Sequence, residues 1–207
     1  MSAETIEPPD PVVEGVPPPE ARHVVTNGVC IAWIAVYAAW ALTGKVDFTP
    51  RDAFLFGAPD METFRRWGAA IPWFVSRGEW HLLATGAFHH AGLVHLLFDL
   101  WVLRSLCGTL ETLAGASRAW CVFILGAAAA EYAQALLAPH AMIPAFGASS
   151  AVFAVVAALA VSGLRLKGPV GRRIVTSAAF FAVLTVVLGL LMTSEAQRTQ
   201  LLVLDGV

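Results

Sequence analysis

Long stretches without charge dominate this chain and constrain it more than any other feature. From Val24 to Gly44 there is no Asp, Glu, Lys, Arg or His, and a helix needs roughly 20 apolar residues to cross a lipid bilayer. Apolar stretches of similar length, two of them interrupted by a few ionisable residues, recur at about 91–111, 117–138, 148–164 and 174–193, so these five are read as spans. With 57% hydrophobic and 14% charged residues, the chain departs from the charge content of about 25% usual in soluble domains. The fold class expected is therefore an all-α polytopic membrane protein, a bundle of about five transmembrane helices over residues 24–193.

Composition also narrows the partners. A net charge of −2 offers no basic field to hold a polyphosphate, so the lipid bilayer is expected as solvent and nucleic acid is not expected as a partner. Cys30, Cys107 and Cys121 all fall within apolar runs, at spacings that match neither a zinc site nor a disulfide framework. Neither a metal nor another cofactor is expected.

The segments between the spans differ in character. Residues 1–23 carry five acids and the prolines Pro8, Pro9, Pro11, Pro17, Pro18 and Pro19, a composition that cannot bury a core and reads as a flexible tail. In the loop 45–89, Phe54, Phe56, Phe64, Trp67, Trp73, Phe74 and Trp80 alternate with Arg65, Arg66 and Arg77. Rings among basic groups suit the headgroup layer, so this loop is expected at the membrane interface, with a soluble loop around its own small core as the alternative. The short basic stretch Arg165, Lys167, Arg172, Arg173 abuts two spans and is expected on the cytoplasmic side. That puts the N-terminus in the cytoplasm, the loop 45–89 outside, and residues 194–207 outside as a short C-terminal segment. In a bacterium the membrane would be the inner one.

Two strings can carry chemistry. His95 and Asp99 lie four residues apart within a span, hence on one helical face, and ionisable residues inside a membrane are costly and usually functional. Phe146-Gly147-Ala148-Ser149-Ser150-Ala151 sets a serine at the mouth of the fourth span, directly after a glycine turn. The plainer account of that string is packing, because Gly147, Ala151, Ala154 and Ala158 form a small-residue face. A third reading takes His89, His90, His95, Asp99 and Glu131 as metal ligands. No recognised ligand spacing supports it; His89 and His90 are expected at the interface, and Glu131 near a helix end or in a polar contact.

Gly78-Glu79-Trp80-His81, then His89-His90-Ala91-Gly92-Leu93-Val94-His95 through Asp99, Gly108-Thr109-Leu110-Glu111, and Gly147-Ala148-Ser149 one link later together resemble the rhomboid family of intramembrane serine proteases. The resemblance runs from about Val24 to Met192. It implies a serine endopeptidase that cleaves transmembrane substrates, with Ser149 as nucleophile, Gly147 as the turn before it, and His95 in the oxyanion hole. Asp99 stands at the position of the family's oxyanion asparagine, where an ionised carboxylate cannot donate. Ser150 replaces a usual glycine, and His81 stands where many members carry arginine. The family's general base is a histidine on a sixth span; no histidine follows His140 here, so the base is unassigned and the chain is expected to be cut short of it. A catalytically inactive relative that binds transmembrane helices is the alternative. On this reading the small face of the fourth span lacks its neighbour, and self-association is expected.

Overall fold

The computed structural model describes residues 23–44, 46–47, 57–144, 147–166 and 168–204, with side chains as far as 188 and at 190. The acidic tail up to Arg22, Lys45, Phe54 and Phe56 of the aromatic loop, Phe146, Lys167 and the last three residues lie outside the described residues.

Five long helices form the bundle: α1 (Val24–Thr43), then, after three short helices in the first loop, α5 (Leu93–Ala114), α6 (Ala116–Leu137), α7 (Gly147–Arg165) and α8 (Pro169–Leu204). All five are long and apolar enough to cross a membrane. The short ones are α2 (Met61–Arg66), α3 (Pro72–Val75) and α4 (Leu82–Thr85), followed by a 3-10 turn at Gly86–Phe88. A minimal ribbon pairs Val46 with Pro59 and Asp47 with Ala58.

Local chemistry sets where these helices start and stop. Asp60 caps α2, its side chain accepting from the Thr63 N–H at 2.8 Å. A single residue, Gly115, ends α5 and starts α6; its φ of 88° lies in the left-handed region that glycine adopts without a Cβ clash. Helix α8 opens with Pro169 at its first position, where the missing N–H removes no helical bond. It thus begins five residues before the fifth span read from sequence, and it runs on to Leu204 through the segment read there as a short outer tail.

The first loop is more folded than its composition suggests. Phe64 is buried, and Ala70, Val75 and Leu82 form a small cluster with Ala135 of α6. Trp67 and Trp80 stay exposed, and the Arg77 guanidinium lies over the Trp73 ring. The loop therefore packs against the bundle, Phe64 in the main core and Ala70, Val75 and Leu82 on α6, and leaves an exposed aromatic rim.

Helix α7 lies at the centre, packed against α5, α6 and α8. Its small-residue face makes this position accessible. Ala148 and Ala151 are fully buried, and Ala154 packs directly on Gly126 of α6. The face expected to seek a partner is thus covered by α6, which removes the packing motive for self-association drawn from it. At the opposite end, Glu111 of α5 accepts from the N–H groups of Val25 (2.9 Å) and Thr26 (3.1 Å) and from the Thr26 hydroxyl (3.0 Å). A carboxylate there satisfies amides that the first turn of α1 cannot pair internally and complements the helix dipole.

A Cβ at position 126 would fall within the van der Waals shell of the Ala154 methyl. Gly126→Ala is expected to destabilise the bundle by about 1–3 kcal/mol, with Gly126→Val worse, as read from unfolding in mixed detergent micelles.

Candidate active site

The N-terminal ends of α5 and α7 lie side by side, which brings His95, Asp99 and Ser149 together although 50 residues or more separate the serine from its partners. The helical rise of 1.5 Å per residue puts Ser149 about 3 Å and Asp99 about 9 Å below the first residues of their helices. The site therefore sits just inside one end of the bundle.

Its hydrogen bonds form a directed chain. The Ala91 N–H donates to His95 Nδ1 at 3.1 Å. A ring nitrogen that accepts carries no proton, so this bond assigns the imidazole proton to Nε2. Nε2 lies 2.6 Å from Ser149 Oγ and 3.1 Å from Asp99 Oδ2. The Ser149 hydroxyl in turn donates to Asp99 Oδ2 at 3.2 Å. His95 thus acts as a donor toward the serine, and the serine's own proton points at the carboxylate.

Burial makes this polar cluster stringent. Asp99 is 0% exposed and His95 7%, and unpaired polar groups at such depth cost several kcal/mol. His90 lies with Nε2 3.7 Å from Asp99 Oδ2, packed edge-on against Trp33 (ring centroids 4.7 Å apart) and His95 (5.6 Å). Trp33 is itself held by its Nε1–H to the Ala87 carbonyl at 3.0 Å. An aromatic wall from α1 thereby backs the histidines that precede α5.

Two expectations are corrected here. His89 and His90, expected at the interface, are both buried, because the chain between the 3-10 turn and α5 turns inward and their rings pack on Trp40 and Trp33. Glu131, expected near a helix end or in a polar contact, is buried in α6 beside Gly86 with Oε1 unpaired. Of the five residues considered as metal ligands, His90, His95 and Asp99 meet at Asp99 Oδ2, yet among the described residues no three His, Cys, Asp or Glu side chains are placed to hold a metal ion.

Gly147 opens α7 two residues before Ser149, and Ser150 is half-buried beside that serine. His140 is engaged with Trp73, their rings 5.9 Å apart. The contributions of His90, Ala91 and Trp33 escaped the sequence reading. Only the His89-His90-Ala91-Gly92 string, histidines next to a helix-starting glycine, pointed toward them.

Desolvation lowers His89 to about 4, against smaller opposing effects from the Thr85 and Trp67 carbonyls. Burial, then His95 and His89 nearby, pushes His90 well below the ordinary imidazole value. Both groups bind protons more readily when unfolded, so stability rises with pH between their folded values and about 6.5. For His89 alone, acidification from about pH 6.5 to 4 is expected to cost roughly 3 kcal/mol; unfolding in detergent across that range, compared with His89→Gln, tests it.

Residues 77–200, more than half the chain, match the Rhomboid domain family. No curated protein and no solved structure matches. The family match takes in the last four of five membrane-length helices and the whole His95–Asp99–Ser149 cluster, and on that ground this chain belongs to the rhomboid family.

Proposed function

We propose that this protein is a multi-pass integral membrane serine endopeptidase that cleaves transmembrane-helix substrates, with Ser149 as the nucleophile. The observation that carries this reading is the 2.6 Å contact between His95 Nε2 and Ser149 Oγ inside the bundle. A serine in a membrane helix ordinarily bonds back to a carbonyl one turn earlier, as Ser105, Ser162 and Thr185 do. Ser149 instead reaches across to another helix.

Once a scissile carbonyl approaches Oγ, the His95 Nε2–H is the donor nearest to the developing oxyanion. Preorganised donors in a site that excludes water are typically worth about 3 kcal/mol each in the transition state. The basic residues Arg165, Arg172 and Arg173 favour the cytoplasm, and with five spans this puts the N-terminus in the cytoplasm and the serine near the opposite surface. Substrate helices would therefore be cut close to that surface.

A second reading has its own observation. A carboxylate 3.2 Å from Ser149 Oγ would repel an oxyanion, as suits a relative that binds transmembrane helices without cleaving them.

The test is labelling of purified protein, in detergent and in lipid, with a fluorophosphonate, beside cleavage of a single-span substrate. Ser149→Ala is expected to abolish both, and His95→Ala to slow both by about 100- to 1,000-fold. A folded protein that neither labels nor cleaves would favour the helix-binding reading.

A further inference from the structure

We propose that Asp99 is the general base of this site, the group that takes the Ser149 proton. The inference rests on Ser149 being the nucleophile and deepens that reading.

A general base must lie within hydrogen-bond reach of the proton it removes and hold a lone pair aimed at it. The imidazole of His95 fails the second condition. Its accepting nitrogen, Nδ1, is occupied by the Ala91 N–H, and the nitrogen that faces Ser149 carries the ring proton. The carboxylate meets both conditions, since the Ser149 O–H donates to Asp99 Oδ2 at 3.2 Å. His90 faces the same oxygen at 3.7 Å and forms no hydrogen bond with Ser149. The groups facing Asp99 are therefore His90 from the segment before α5, His95 on its own helix, with its Nε2 3.1 Å from Oδ2, and Ser149 on α7, and of these the serine is the group whose proton the reaction must remove.

The steps balance without any further reagent than water. As Oγ bonds to the scissile carbonyl carbon, the hydroxyl proton passes to Asp99 Oδ2 and the carbonyl π pair moves onto oxygen, beside the His95 Nε2–H. Collapse of this adduct breaks the C–N bond, and the departing nitrogen takes the proton from Asp99. Water then adds to the acyl ester, giving a proton to the same carboxylate. The ester C–O bond breaks and Oγ recovers that proton. The net change is peptide plus water to carboxylic acid plus amine.

Asp99→Asn makes a sharp test, because an amide at this position cannot accept the serine proton into a carboxylate but can donate to an oxyanion. With Asp99 as base, fluorophosphonate labelling of Asp99→Asn should fall at least ~100-fold below the wild type while its thermal unfolding stays close to wild type. Labelling of Asp99→Asn at the wild-type rate or faster would overturn the proposal and leave Ser149 as nucleophile. Wild-type protein that does not label, or labelling that survives in Ser149→Ala, would overturn the nucleophile assignment and this inference with it. Should Asp99→Asn fold poorly, Asp99→Ala with added formate gives a second readout: labelling restored in proportion to formate supports a carboxylate base, and a folded variant that formate does not restore overturns it.

Discussion

Polar groups inside this bundle are stabilised by partners within the protein, since a hydrocarbon environment supplies none, and many of the contacts that tie its helices together answer that demand. Hydroxyls along the helices bond back one turn, as at Thr43, Thr112 and Thr185. Glu111 takes the free amides at the start of α1 and so ties the first helix to α5. The Tyr37 hydroxyl donates to the Gly57 carbonyl, and the Trp33 indole to that of Ala87, which fastens α1 to the first loop. In the cluster of Ser149, His95 and Asp99 the same demand draws two helices together around groups able to exchange protons.

Close approach of α7 makes that cluster geometrically available. Glycine and alanine at some of the contacts let a helix approach its neighbours closely, as at Gly126 opposite Ala154, while Val152, Val155 and Leu159 of α7 fill the core beside them. Packing and chemistry are therefore not rival explanations of the Gly147–Ala158 face. Small residues bring the helix in, and the serine at its mouth is carried to His95 as a consequence. The aromatic layer from α1 then closes the back of the site, with Trp33 against His90 and Trp40 against His89.

Much of the fold was legible in the sequence because membrane helices are written in long, locally readable runs. Five apolar stretches gave five helices, and the spacing of His95 and Asp99 put both on one face, as helical periodicity requires. Less was legible where burial depends on what lies opposite. Nothing near His89, His90 or Glu131 in the chain announces that they are enclosed, since their cover comes from α1 and from the turn at Gly86, distant in sequence. The aromatic loop escaped for a related reason: the same rings can stay exposed or enter a core, and Trp80 does the first while Phe64 does the second.

What the sequence determined by itself is the membrane as solvent, the helical architecture and the identity of the residues with chemical capacity, because each depends on composition or on periodicity within one segment. The meeting of those residues was decided by tertiary structure. The Ala91 N–H reaches Nδ1 of His95 within one turn of chain, so the imidazole tautomer is set locally, but whether the serine proton faces imidazole or carboxylate depends on how α7 docks against α5. That second contact joins groups 50 residues apart, a relation that only the packed bundle sets.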